Sequence, residues 1–177
     1  RKPEAKKDEA LLQQQGCNLC SVKNTCTRTL PKGSDNPEIY VISNEPLTDT
    51  QLQDWNLETV RVFSLSRHSF PIKEADYHCC RKHLFEDIEK IKPKKIVGLG
   101  AVVGRTFCKG HQSIPKFWIR DWRGRRFPVK VGSHTAFFYP IYDFSFLSNK
   151  AALQRKKDAI TEFDMVFGFD LDRIMND

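Results

Sequence analysis

Apolar positions along this chain follow two rhythms. Four short runs are rich in β-branched and aromatic residues: PEIYVI at Pro37–Ile42, VRVFSL at Val60–Leu65, KIVGLG at Lys95–Gly100 and TAFFYP at Thr135–Pro140. Each is bounded by polar, Gly or Pro positions, the pattern of a buried strand. Between them the period lengthens. Over Glu74–Lys92 the residues Tyr77, Cys80, Leu84, Ile88 and Ile91 recur at helical spacing with charges on the other face, and Pro93 ends the run. Shorter helices are predicted over Thr48–Leu57, with Thr48 or Asp49 as N-cap, and over Ala101–Cys108 after a tight turn at Gly100. A longer one is predicted over Ala151–Phe167, and Phe127–Val131 reads as a short extra strand. Strands alternating with helices predict an α/β fold: a three-layer α/β/α sandwich with a central four-stranded, mainly parallel sheet. Residues 1–15 read as a flexible leader, 16–169 as one folded domain and 170–177 as an acidic tail.

Two strand ends carry unusual chemistry. The first strand stops at Ser43-Asn44-Glu45-Pro46, and the fourth runs into IYDFSFL at Ile141–Leu147. Open α/β sheets bind ligands beyond the carboxyl ends of their strands, so Asn44, Glu45 and Asp143 become candidate site residues. A structural role competes at each: Asn44 and Glu45 can cap the helix that follows, and Asp143 can close a turn.

Composition then narrows the partners. The 177 residues are 40% hydrophobic, enough for one core, and no apolar run approaches a membrane span. No secretory signal is visible, so an intracellular, non-secreted protein is expected. The chain opens on Arg1, so either an upstream segment has been removed or this is a piece of a longer polypeptide. The net charge of +7 favours a polyanion only modestly, but its distribution is uneven. Arg105–Lys130 holds eight Lys/Arg against Asp121, interleaved with Phe117, Trp118, Trp122 and Phe127. Cations for phosphates and aromatics for bases suit a nucleic-acid surface, with Arg120, Arg123, Arg125, Arg126 and Lys130 as the candidate DNA contacts. Of six cysteines, Cys17, Cys20 and Cys26 lie within ten residues as CxxC-x5-C. In a reducing compartment that spacing suits zinc or an iron–sulfur cluster better than disulfides.

Taken in order, these motifs resemble family 4 of the uracil-DNA glycosylase superfamily, the group that carries a four-iron cluster. The resemblance runs from Gly16 to Phe167. Cys80-x3-Leu84-x3-Ile88-x2-Ile91-x-Pro93 followed by Ile96-Val97-Gly98-Leu99-Gly100 is similar to the family's cluster-cysteine helix and following strand. Arg123-Gly124 and Gly132 fall at its Arg-Gly segment, and Pro140–Leu147 is similar to its second active-site motif, P-T-Y-H-P-S-Y-L. The departures are specific. The first motif, usually G-E-A-P-G, is here Ser43-Asn44-Glu45-Pro46-Leu47, so the Glu slot falls on Asn44. The motif-two His becomes Asp143, and the Asn that reads uracil falls on Ser64. The segment that supplies a stacking aromatic is shortened, leaving Tyr40 and Trp55 as replacements.

What the resemblance implies is a uracil-DNA-glycosylase-like domain over 16–169. Its catalytic residues would be Asn44, Glu45 and Asp143, and its base pocket Ser64, Tyr40 and Ser145. A 4Fe-4S cluster would be held by Cys17, Cys20, Cys26 and Cys80. His68 is the reserve ligand, since it lies about where the family has its third cysteine, and zinc is the alternative metal. DNA is the implied partner, with replication or repair proteins beside it and no membrane. Two functions follow: base excision by N-glycosidic hydrolysis with altered motifs, or a catalytically inactive glycosylase-fold module that binds DNA or protein within a replication assembly. An ionised Asp143 cannot donate to a departing base anion, and this loss from the pocket favours the second, whereas the intact strand-end carboxylates Glu45 and Asp143 favour the first. A zinc-stabilised interaction domain without a nucleic-acid role is a third reading.

Overall fold

A computed structural model describes residues 30–53, 55–66, 77–108, 116–143 and 170–177. The described residues form a mixed α/β fold on one six-stranded sheet. Its strands are β1 (Lys32–Gly33), β2 (Ile39–Ser43), β3 (Val60–Ser64), β4 (Lys95–Leu99), β5 (Phe127–Val131) and β6 (His134–Ile141). They lie in the order β1-β3-β2-β4-β6-β5. The central four, β3-β2-β4-β6, are mutually parallel, and β1 and β5 pair antiparallel at the two edges. The sheet is therefore two strands wider than the expected four-stranded one. β5 is the short extra strand expected over Phe127–Val131, joined at one edge and alternating buried and exposed as a one-sided strand does, whereas β1 is only Lys-Gly, too short and polar to register as a pattern.

The helices are α1 (Asp49–Leu52), α2 (Tyr77–Ile91), α3 (Gly100–Cys108), α4 (Ile119–Trp122) and α5 (residues 170–175). Strand alternation sends side chains into two separate cores. Tyr40, Ile42, Phe63, Ile96 and Phe138 meet Leu84 and Ile88 of α2 and Val103 of α3 on one face. Ile39, Val41, Val62, Val97, Leu99 and Ile141 meet Leu52 of α1 and Ile174 of α5 on the other. Every residue of β2 is buried, as a central parallel strand covered on both faces requires.

Local chemistry sets the helix limits. Thr48 caps α1 in a reciprocal box: its Oγ1 accepts from Gln51 N at 3.2 Å, and Gln51 Oε1 accepts from Thr48 N at 2.9 Å. The helix then stops after one turn, well short of the predicted Leu57. On α2, Cys80, Leu84 and Ile88 lie one turn apart and bury, and the helix ends where Lys92 takes a left-handed φ of 53° before Pro93.

Residues 170–177, an acidic tail by sequence, contain α5. Ile174 is fully buried there, and Lys95 Nζ donates to the Ile174 and Met175 carbonyls at 2.8 and 3.2 Å. Among the described residues no helix is long and apolar enough to cross a membrane.

Candidate functional site

The strand registers align Ser43, Ser64, Leu99 and Ile141 near one edge of the sheet. The chain leaving β2 goes to β3 by way of α1, on one face. The chain leaving β4 goes to β6 by way of α3, on the other face. The two connections diverge, and a crevice opens between the ends of β2 and β4. Such a switch point is where open α/β sheets bind ligands. A cleft of about 260 Å³ lies there, lined by Ser43, Asn44, Glu45, Leu47, Gln51 and Asp143 among others.

Asn44, Glu45 and Asp143 are thus brought to one place from positions about a hundred residues apart in sequence. The β2–α1 loop is pinned from beneath. Leu65 N donates to Ser43 O at 2.8 Å, Ser66 N donates to Asn44 O at 2.9 Å, and Ser43 Oγ donates to Glu45 O at 2.6 Å. Held this way, Asn44 keeps its side-chain oxygen buried with no hydrogen-bond partner among the described residues, while Glu45 is exposed. A buried acceptor left unpaired is costly, so this oxygen is suited to receive an N–H or O–H from a ligand or a bound water.

Asp143 is placed by Gly100. The turn from β4 into α3 needs a φ of +87° at Gly100, and a Cβ there would stand 2.7 Å from Asp143 Oδ2. The carboxylate therefore lies against the first residue of α3, where the helix dipole favours a negative charge. Gly100→Ala is expected to destabilise the fold by about 1–3 kcal/mol through the left-handed backbone, and to displace Asp143 as well. A thermal melt with an unchanged midpoint would contradict this placement.

The other expected pocket residues lie elsewhere. Tyr40 is fully buried on the opposite face and does not line the cleft. Its hydroxyl donates to Asp87 Oδ2 at 2.6 Å, and burial, with the Asp87 carboxylate beside it, raises its pKa far above the usual phenol range. Ser64 is buried and backs a space of about 20 Å³ that adjoins the cleft at Ser43, Pro46 and Leu47, the scale of a single water rather than a base. Trp55 packs half-buried on the core that contains Leu52. Ser145 and His68 lie outside the described residues.

The basic segment comes to the same edge of the sheet. Because β5 runs antiparallel to β6, residues 123–126 lie beside the carboxyl end of β6. The Arg123 guanidinium sits 5.4 Å from the ring centroid of Tyr142, the neighbour of Asp143. Trp118 is 52% exposed, with Lys116 and Arg120 at 5.8 and 5.9 Å from its ring. Arg125 and Lys130 are also exposed.

Three of the candidate DNA contacts are engaged within the protein: Arg120 pairs with Asp121 at 3.5 Å on the exposed surface, and two others are tied more firmly. Arg123 makes a two-point contact with Asp170, at 2.9 and 3.2 Å, and Asp170 is almost wholly buried. Arg126 lies over the Phe137 ring and donates to Asp177 at 2.6 Å. The Tyr139 hydroxyl also donates to Asp177, and together with Arg126 it holds that carboxyl below its ordinary value of 3.8. The stability from this tie is complete above the ordinary value and is lost as the pH falls through the lowered one. Sequence reasoning missed Asp170, Asp177 and Arg173, because nothing in their spacing marks contact with residues some fifty positions away, and it missed Gln51, which closes the Thr48 capping box and also lines the cleft.

Of the four expected cluster ligands only Cys80 is among the described residues. It is buried on the first turns of α2. Cys108 is also buried, and desolvation pushes its thiol up to about 12, the behaviour of a neutral core thiol. Among the described residues no group of His, Cys, Asp and Glu is assembled to hold a metal ion. Cys17, Cys20 and Cys26 lie outside those residues. No protein-family model matches the chain, and no curated protein shows a significant match to it.

Proposed function

We propose that this chain is a divergent DNA-binding domain of the uracil-DNA glycosylase type, with a three-layer α/β/α architecture, acting in repair or replication. The observation that best supports this reading is the convergence of Asn44, Glu45 and Asp143 at the switch-point cleft, with Arg123 over the ring of Tyr142, the neighbour of Asp143. A base turned out of the strand would enter the cleft, and Trp118 and the exposed cations around it would hold the flanking strand. In excision, water adds to the sugar C1′ while the C1′–N bond breaks, its electron pair leaves with the base, and the proton that the water sheds ends on the departed base anion. Glu45 and the Asn44 side-chain oxygen are the groups available to orient that water and face the developing positive sugar.

Asp143 supports the second reading, a glycosylase-fold module that binds without cutting. Packed against Gly100 at the head of α3, it offers an acceptor where base departure calls for a donor. Oligonucleotides containing uracil, hypoxanthine or hydroxymethyluracil, incubated with the protein and then treated with alkali, separate the two. Strand cleavage at the modified base establishes excision. Salt-sensitive binding without cleavage selects the module, and absence of binding removes both.

Cys17, Cys20, Cys26 and Cys80 would hold the four-iron cluster, with zinc as the alternative and His68 as reserve ligand. When bound, the cluster supplies a rigid cross-link between the amino-terminal segment and α2. Cys80→Ala is expected to abolish the visible thiolate-to-iron absorption of the purified protein. A full spectrum retained in that variant would overturn the ligand assignment, and a colourless, zinc-containing protein would replace the cluster with zinc.

A further inference from the structure

A second cavity, of about 360 Å³, lies where α5 meets the carboxyl half of β6. Its volume is within the range of small-ligand sites, roughly 300–1,000 Å³. Gly124, Arg125, Arg126, Tyr139, Arg173 and Asp177 line it. Three guanidiniums thus face one carboxylate.

The hydrogen bonds show how that charge is distributed. Asp177 Oδ2 accepts from both Arg126 Nη1 and the Tyr139 hydroxyl, so a single carboxylate oxygen already occupies a two-donor anion seat. Arg173 Nη1 donates to the Gly124 carbonyl at 2.7 Å, which fixes the guanidinium in place. Arg173 Nη2, on the same fork, is buried with no partner among the described residues. A desolvated cationic donor left unpaired is suited to a charge-assisted hydrogen bond with an incoming anion. Arg125 is exposed at the rim.

We infer that this cavity is a phosphate-binding site, in which Arg173, Arg126 and Tyr139 grip the oxygens, Arg125 adds charge at the mouth, and Asp177 is a resident competitor. A guanidinium fork matches phosphate as it does carboxylate, and a phosphate brings more oxygens to meet several such donors at once. The phosphate can belong to a nucleic-acid backbone or to a free phosphate ion. The nucleic-acid arm rests on the DNA-binding reading proposed above, since the cavity shares Arg125 and Arg126 with that basic face. The cavity is separate from the Asn44–Asp143 cleft, with no lining residue in common.

The test uses the full 177-residue chain and two variants of opposite expected sign. Inorganic phosphate is titrated by NMR chemical shift, and single-stranded oligothymidylate by fluorescence anisotropy over a range of salt. Arg173→Gln is expected to weaken the tighter of the two ligands about tenfold, as loss of a charge-assisted contact does. If the ligand is DNA, the slope of log affinity against log salt should also fall by about one. Asp177→Asn is expected to strengthen binding about two- to fivefold by removing the competing charge. Phosphate binding with these responses but no oligonucleotide binding would keep the site, assign it to free phosphate and remove the DNA reading. Oligonucleotide binding indifferent to both substitutions would leave DNA binding standing and overturn the site. An Asp177→Asn variant that binds neither ligand more tightly would overturn Asp177 as competitor even if Arg173→Gln failed to fold.

Discussion

Asp87→Ala is expected to cost about 3–5 kcal/mol of folding stability, the usual result of stranding a buried charge. Asp87 lies on α2 and accepts from Arg61 Nε at 2.9 Å, from Arg61 Nη2 at 2.8 Å and from the Tyr40 hydroxyl at 2.6 Å. The Arg61 side chain is only 7% exposed, in the third strand of a sheet whose face is otherwise apolar. Burial acts to lower its pKa, but the hydrogen bonds and charge of Asp87 outweigh that and raise it, so the guanidinium stays charged. With Asp87 gone, Arg61 keeps only Ser34 O and the exposed Asp35, and the Tyr40 hydroxyl has lost its acceptor. For a chain of this size the melting temperature should fall by about 10 °C. Asp87→Asn keeps the shape and a single acceptor, so it should fall between wild type and alanine. A melt of Asp87→Ala within a degree or two of wild type would show that the network contributes little.

Arg123→Ala is expected to destabilise the protein by about 2–4 kcal/mol, whereas Arg125→Ala should leave the melt unchanged within about 0.5 kcal/mol. The two residues are near neighbours in one basic run, yet their surroundings differ. Arg123 pairs with Asp170, which is 3% exposed, and so fastens α5 to the carboxyl end of α4. Arg125 is exposed at the surface. Under the DNA-binding reading, Arg125→Ala weakens oligonucleotide binding without loss of fold. A weaker complex with Arg123→Ala would be interpretable only alongside its melt. Equal melts for the two variants would show that the Asp170 contact is dispensable. Sequence alone offers no reason to separate these arginines, because the acid that distinguishes them lies 47 residues away.

Much of the site was visible in the chain. The strand-end loops at Asn44-Glu45 and Asp143 follow from apolar runs that stop at polar residues, and parallel pairing then carries both to one edge. Gly100 at the turn into α3 follows from a glycine standing between a strand pattern and a helix pattern. A fully buried strand has no alternation to reveal which face each side chain takes, so the sequence does not show that Tyr40 turns away from the cleft. The neighbouring strand decides it: Arg61 points into the same core as Tyr40, and both turn toward Asp87.

The sequence by itself determined the α/β class, the core strands, the start of α1 at Thr48 or Asp49 and the clustering of positive charge between Arg105 and Lys130. These depend on periods and caps that act over a few residues, so local composition carries them. Only the tertiary structure decided which arginines are already paired, where the carboxyl-terminal acids dock and which of the expected pocket residues face the cleft. Those outcomes depend on contacts between segments tens of residues apart, and the charge and shape that select them leave no periodic trace in the chain.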